Sequence, residues 1–290
     1  MSHEPKTGPA SAEPFPPAGP LKGSIRPPAD KSISHRAAII GAISDGPTRV
    51  TNFLDSDDTR STLSAVANLG AMVNPEPLNA MPEEFTIEGV GPGGPRSLGR
   101  IDVGNAGTLM RLLPGWIAGY EGGLWRMNGD ASIRKRPVDR IADPLRLMGA
   151  EIEVTDGRFP PIRIDGRKLH GIEYELPVAS AQVKSCLLIA GLRAEGPTTV
   201  IEPLATRDHT EVMLDSRPGG FQHHLGVVAG RQGLDHRGRA LGPEAGDQQA
   251  GLDLGAGHGE LVFDAMELSA VDAYRGKAPV GHLDLGAHQA

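Results

Sequence analysis

One unit recurs along this chain, and the recurrence limits the fold more than any single motif does. Gly41-Ala42-Ile43-Ser44-Asp45-Gly46-Pro47-Thr48-Arg49-Val50 is matched by Gly191-Leu192-Arg193-Ala194-Glu195-Gly196-Pro197-Thr198-Thr199-Val200, an offset of 150 residues. The same offset pairs Leu54 with Leu204 and Asp58 with Asp208. A middle copy lies near half that distance, where Met148-Gly149-Ala150 echoes Leu69-Gly70-Ala71 and Ala118-Gly119 echoes Ile40-Gly41. The repeating unit is about 75 residues long, and a period of that kind fixes architecture before any motif is weighed. Hydrophobic patterning gives its order as β-α-β-α-β-β. In the first copy strands are expected at Leu21–Arg26, Thr48–Leu54, Ala71–Val73 and Phe85–Glu88, with helices over Lys31–Ser44 and Asp57–Leu69.

The starts of the helices carry unusual chemistry. Asp30-Lys31-Ser32-Ile33-Ser34-His35-Arg36 follows Pro27-Pro28 and leads into Ala37-Ala38-Ile39-Ile40, so Asp30 or Ser32 is expected to cap a helix. The positive end of a helix dipole normally attracts acids, yet Lys31 and Arg36 crowd this one. Free N–H groups, hydroxyls and two cations in one turn suit a phosphate or carboxylate. Ten residues before Gly41, Gly119 and Gly191 lie Lys31, Leu109 and Ala181, the expected first-helix starts of the three copies. The second copy has Gly104-Asn105-Ala106-Gly107-Thr108 and then Arg111; the third has Ser180-Ala181-Gln182 and then Lys184. The starts of the second helices carry Asp57-Asp58, Arg134-Lys135-Arg136-Pro137 and Arg207-Asp208-His209, with Pro137 suited to a first helical position. Copies packed about a pseudo-threefold axis would bring these helix starts, with Arg136 and Arg207, around one anion.

Taken singly, each feature has a plainer meaning. The Gly104–Thr108 loop fits neither the Walker nor the dinucleotide fingerprint and could be only a turn. Ser180 could be an ordinary cap, and Arg134 to Arg136 a solvated run of charge. Trp116 and Trp125 are expected in the core, as is Cys186 on its apolar helix, because a reactive thiol needs a polar, cationic setting.

Composition enters as a filter. The net charge of −7 over 290 residues argues against a nucleic-acid partner, which needs a basic face, and makes clustered bases stand out. A single cysteine excludes an internal disulfide and a cysteine-built zinc site. No run approaches the ~20 apolar residues of a membrane span, and Met1 to Pro20 has no signal-peptide core, so no membrane partner and a cytoplasmic location are expected.

Together the ordered segments Asp30–Arg36, Gly104–Thr108 with Met110-Arg111, Arg136-Pro137, Ser180–Gln182 and Arg207-Asp208-His209-Thr210-Glu211 resemble the 5-enolpyruvylshikimate-3-phosphate (EPSP) synthase family over residues 21 to about 214. The resemblance implies an α/β, enolpyruvyl transferase-like domain of repeated β-α-β-α-β-β units around a pseudo-threefold axis. It implies a transferase of the shikimate pathway of aromatic amino-acid biosynthesis, moving the carboxyvinyl group of phosphoenolpyruvate to the 5-hydroxyl of shikimate 3-phosphate. Lys31 matches the lysine that touches both substrates and moves protons. Ser32 and Arg36 match shikimate 3-phosphate ligands, Asn105 and Gly107 the loop beside phosphoenolpyruvate, and Arg136 its phosphate-binding arginine. Ser180, Ala181, Gln182 and Arg207 match the pocket for the shikimate phosphate and ring. No cofactor or metal is implied, a monomer is expected, and glyphosate is the implied inhibitor of the complete enzyme. The sister family that uses UDP-N-acetylglucosamine shares the fold, but it has an asparagine where Ser32 follows Lys31 and a loop cysteine this chain lacks.

Three parts are expected: a disordered Pro/Ala-rich lead-in at 1–20, the substrate-binding domain at 21–214, and a Gly/His-rich tail at 215–290. Residues 212–290 hold 15 Gly and 6 His, against 24 and 4 in the preceding 211, and Asp215-Ser216-Arg217-Pro218-Gly219-Gly220 breaks the last helix where a Leu-Gly-Ala-like end belongs. The third unit is therefore expected to be incomplete and the tail to be a shifted frame or fused fragment. The family's second domain would bring a catalytic aspartate, a Lys-Glu pair and carboxylate-gripping arginines, and none is found here. A binding module that holds shikimate 3-phosphate without chemistry is the alternative function.

Overall fold

A computed structural model describes residues 28–77, 80–96, 99–215, 225–229 and 261–264. The expected lead-in, the strand at Leu21–Arg26 and most of the tail lie outside these residues.

The first unit begins with helix α1 (Lys31–Ile43), in which Asp30 caps by accepting from the Ile33 N–H at 2.9 Å. Strand β1 (Pro47–Thr51), helix α2 (Asp57–Asn68), and strands β2 (Met72–Asn74) and β3 (Glu84–Glu88) follow. The second unit is β4 (Ile101–Asp102), α3 (Gly107–Ile117), β5 (Leu124–Asn128), α4 (Asp139–Leu147), β6 (Glu151–Thr155) and β7 (Phe159–Asp165). The third is β8 (Glu173–Glu175), α5 (Ala181–Gly191), β9 (Thr198–Glu202) and α6 (His209–Asp215), and two further strands are β10 (Leu225–Ala229) and β11 (Leu261–Asp264). This is the α/β repeat read from the sequence.

The echo of Leu69-Gly70-Ala71 in Met148-Gly149-Ala150 has a structural cause. Both are Schellman helix ends. Gly70 and Gly149 take φ of +117° and +102°, a region that suits glycine. Ala71 N–H then donates to Val66 C=O at 3.1 Å, and Ala150 N–H to Leu145 C=O at 3.0 Å. The Gly-Pro-Thr echo likewise starts β1 and β9, where Thr48 and Thr198 are fully buried beside buried Val50 and Val200.

The first helix of each unit lies at the centre. From Ile33 to Ile43 in α1 and from Val183 to Gly191 in α5 every residue is buried, and α3 is nearly so. Helices apolar all round belong inside a core. The second helices α2 and α4 bury one side only. Trp116 and Trp125 are both core residues, and Trp125 Nε1 donates to Arg96 C=O at 3.1 Å. Among the described residues no helix is long and apolar enough to cross a membrane.

Each unit has a sheet: β11-β1-β3-β2, β4-β5-β7-β6 and β10-β9-β8. In the second and third, the unit's first strand pairs parallel with its second, β4 on β5 and β8 on β9. On β1 that position is filled by β11, pairing Thr48 with Leu261 through Thr51 with Asp264. The third unit departs from the pattern on its other side. β3 and β7 run antiparallel to β1 and β5, whereas β10 runs parallel to β9. Among the described residues the hairpin that closes the first two units has no counterpart in the third, where β10 pairs parallel with β9 instead.

Two local expectations need correction. Helix α3 starts at Gly107, two residues before Leu109. Pro137 is not a first helical residue, because Val138 is the N-cap of α4 and donates its N–H to Arg158 C=O at 2.8 Å, tying it to the β6–β7 turn.

Candidate functional site

Side-chain bonds show that the helices start at one end of the core. Gln182, in the first turn of α5, donates from Nε2 to Thr108 Oγ1 in the first turn of α3 at 3.1 Å. Arg36 of α1 donates from Nη2 to Ser185 Oγ of α5 at 2.7 Å and from Nε to Thr210 Oγ1 at the start of α6 at 2.7 Å. Lys31, the first residue of α1, pairs with Asp58 in the first turn of α2. Further along, Gly115 of α3 lies against Cys186 of α5, so the two helices run side by side from the same end. The N-termini of α1, α3 and α5 therefore open on one region, and each leaves backbone N–H groups without intrahelical partners.

Bases gather on the second unit's side of that region. Arg136 donates from Nη2 to Asn105 Oδ1 at 2.9 Å, while Asn105 Nδ2 donates to Asp130 at 2.8 Å. Asp130 in turn accepts from the Ile133 N–H at 2.8 Å, and that bond leads the causes holding its carboxyl below the usual range. Arg111 donates from Nη1 to Gly107 C=O at 3.1 Å. Its own pKa is lowered, first by burial and then by the charges of Arg140 and Arg136. Among the described residues none of these three guanidiniums is in an ion pair, and Arg111 Nε is buried without a partner. Three neighbouring cations that form no ion pair, with Asp130 near Arg136 as the carboxylate that feels its charge, can seat an anion. Gly107 lets them close in, because a Cβ there would lie 2.6 Å from Arg136 Nη1 and 3.2 Å from Arg111 Nη1.

A polar layer lies beneath. Arg36 is only 3% exposed, and burial brings its pKa down to about 10. Glu211 and Asp30 support its charge, and Arg207 opposes it. Its Nη1 donates to Ser32 C=O at 3.0 Å, so one guanidinium ties the start of α1 to α5 and α6. Deeper still, Lys184 pairs with Glu202 at 2.8 Å and Glu211 at 2.6 Å. Burial raises the Glu211 pKa against the pull of Lys184. His35 packs beside this layer with Nδ1 at 2.6 Å from Thr62 Oγ1. Burial first, and then Lys31, lowers its pKa to about 4, so it is neutral at neutral pH.

The model of the family described as EPSP synthase (3-phosphoshikimate 1-carboxyvinyltransferase) matches residues 16–222. The chain belongs to the EPSP synthase family. The 3-phosphoshikimate 1-carboxyvinyltransferase of Anaeromyxobacter dehalogenans is 50% identical over 217 residues, 74% of this chain and 47% of that protein. The one from Hydrogenovibrio crunogenus is 50% identical over 202 residues, 69% of this chain and 44% of its own length. Among solved structures, the EPSP synthase of Acinetobacter baumannii aligns with a TM-score of 0.63 at 44% identity, covering 71% of this chain and 49% of that one. The chain thus spans about half the length of the curated relatives it matches.

The residues that EPSP synthase resemblance singled out fall around the helix starts. Lys31 and Ser32 open α1, Asn105 and Gly107 lead into α3, and Arg136 precedes α4. Ser180 caps α5, accepting from the Val183 N–H at 3.4 Å, with Ala181 and Gln182 in its first turn. Arg207 is exposed before α6 and close enough to Arg36 to oppose its charge. Arg36 underlies the basin, with its Nε, Nη1 and Nη2 all donating to protein groups. Lys184, read from sequence as a base at a helix start, faces inward onto two carboxylates instead. Cys186 is fully buried and desolvation pushes its thiol up to about 12, so it is core. Arg140 and the network of Thr210 with Ser185 were not singled out from sequence. Arg140 carried a weak signal, being a further base four residues beyond Arg136, in the first turn of α4. Among the described residues no group of His, Cys, Asp or Glu is arranged to hold a metal.

Proposed function

We propose that this chain is the substrate-binding half of an enzyme that moves the carboxyvinyl group of phosphoenolpyruvate onto the 5-hydroxyl of shikimate 3-phosphate. The observation that carries the reading is the convergence of the α1, α3 and α5 N-termini beside the unpaired Arg111, Arg136 and Arg140. Both substrates are anions, and holding them together demands fixed positive partners. Arg136, steadied by Asn105, holds the phosphoenolpyruvate phosphate next to Gly107. Arg207 and the first turn of α5, with Ser180, Ala181 and Gln182, take the shikimate phosphate and ring. Ser32 binds from α1, and Arg36 fixes Ser32 from beneath and adds its charge.

In the reaction the 5-hydroxyl gives up its proton to a base as its oxygen bonds to C2 of phosphoenolpyruvate, and a proton is added to C3. The tetrahedral intermediate then loses the C3 proton and expels phosphate, restoring the double bond. Lys31 is the proton carrier on this half, held by Asp58 until substrate displaces that pairing. General acid–base help of this kind is worth about 10²–10⁴-fold. Glyphosate, as a competitor of phosphoenolpyruvate, would occupy the Arg136 seat of the complete enzyme. The reaction would run in the cytoplasm with a monomeric enzyme.

A second reading, a module that binds shikimate 3-phosphate without turnover, is favoured by the parallel β10, which breaks the repeat. The test is a phosphate-release assay with both substrates, paired with calorimetry of shikimate 3-phosphate alone. Release that vanishes in Lys31→Met supports the enzyme. Binding with no release supports the module, and absence of both overturns the family's chemistry for this chain.

A further inference from the structure

Outside the basin, the solvent face of the second unit's sheet carries another basic group. Arg100 precedes β4, Arg126 lies on β5, and Arg134 sits in the 3₁₀ turn Ile133–Lys135. All three line one pocket of about 380 Å³, with Asp102 and Asn128 on its wall. That volume lies in the usual range for small-molecule sites, about 300–1,000 Å³.

Three observations mark the pocket as incomplete without an anion. First, no ion pair joins Arg100, Arg126 or Arg134 to a carboxylate among the described residues, in a chain whose net charge is −7. The single carboxylate on the wall, Asp102, is turned toward the adjoining bend, accepting from the Gly104 N–H at 2.9 Å. Second, Arg126 stands directly opposite Arg163 across the β5–β7 pair. Like charges in that position are destabilising. Arg163 is compensated by Glu153 at 3.1 Å and Asp165 at 3.9 Å, and Arg126 is left uncompensated. Third, the Asn128 side-chain oxygen is buried without a hydrogen-bond partner. Its amide can accept from a protonated oxyanion or, turned over, donate to one.

We propose that this pocket is a second oxyanion site that takes inorganic phosphate or a small phosphomonoester. Guanidinium forks match the paired oxygens of phosphate better than a lone carboxylate. No aromatic ring lines the pocket, so a nucleobase has nothing to stack on there. The site is independent of the basin reading, because Arg136 and Arg207 do not line it.

Equilibrium dialysis of the 290-residue chain against labelled inorganic phosphate at low salt tests this. The wild type is expected to bind one phosphate here, besides any held by the Arg136 and Arg207 seats of the basin. Arg126→Gln with Arg134→Gln should weaken that one at least tenfold and leave the others, while Arg136→Gln should leave it in place. Competition by glycerol 3-phosphate separates the sources, since tighter displacement of the Arg126-dependent phosphate identifies the ester and weaker displacement the free ion. A wild-type stoichiometry of one, abolished by Arg136→Gln, overturns the proposal without recourse to the double variant. So does a folded double variant that binds like the wild type. Loss of the basin phosphate alone would instead count against the transferase reading.

Discussion

Gly107 is the residue at which space and charge are most tightly balanced. A methyl group there must push against Arg136 Nη1 at 2.6 Å and Arg111 Nη1 at 3.2 Å. Both are ends of flexible side chains, so the fold survives while the seat between them is reshaped. The effect falls on binding, where a tenfold loss of affinity corresponds to about 1.4 kcal/mol. Gly107→Ala in a complete enzyme carrying this half should therefore weaken glyphosate binding at least tenfold, with thermal stability nearly unchanged; equal inhibition constants would refute the placement. His35 gives a second residue-scale prediction. Its folded pKa is depressed to about 4 from 6.5, so between those values the unfolded chain binds a proton that the folded chain refuses. Stability is accordingly undiminished by this group above pH 6.5 and falls as pH drops toward 4. Urea midpoints at pH 7 and pH 5 should differ in the wild type, and the difference should shrink in His35→Asn, which retains a partner for Thr62. An unchanged difference would show that His35 is not the titrating group.

Between elements, the close approach of α3 and α5 brings the helix starts level. A Cβ at Gly115 would lie 2.2 Å from Cys186 C=O, a backbone atom that cannot swing aside. Gly115→Ala should cost roughly 1–3 kcal/mol or more by forcing the helices apart, read as a lower urea midpoint. A midpoint equal to the wild type would mean that the helices are not so close. This scale also shows what the sequence could reveal. Local devices were legible: the Asp30 cap, the two Schellman ends at Gly70 and Gly149, and the Gly-Pro-Thr strand starts depend on neighbours in the chain. Lys184 was misread because its partners Glu202 and Glu211 lie 18 and 27 residues away and meet it only after folding. The Pro137 error has the same origin, since Arg158 holds Val138 from another hairpin. No local signal announced that Leu261–Asp264 would pair with β1 where the unit's own first strand was expected.

At the scale of the whole molecule, three copies of one unit turn a weak local property into a site. A single helix N-terminus attracts an anion by about 0.3–1 kcal/mol at an exposed position. Three of them facing one basin, with guanidiniums and few carboxylates, hold charge that no one copy could. The chain spans about half the length of the curated relatives it matches, and the three helix starts lie within that span. Affinity for a substrate is thus the quantity to measure, and it can be read without turnover. Titration calorimetry of shikimate 3-phosphate into the wild type, Arg207→Gln and Arg126→Gln decides the matter. One ligand should bind per chain, at least tenfold more weakly in Arg207→Gln and unchanged in Arg126→Gln. Heat that is absent in the folded wild type, or indifferent to Arg207, would contradict a shared basin built from three helix starts.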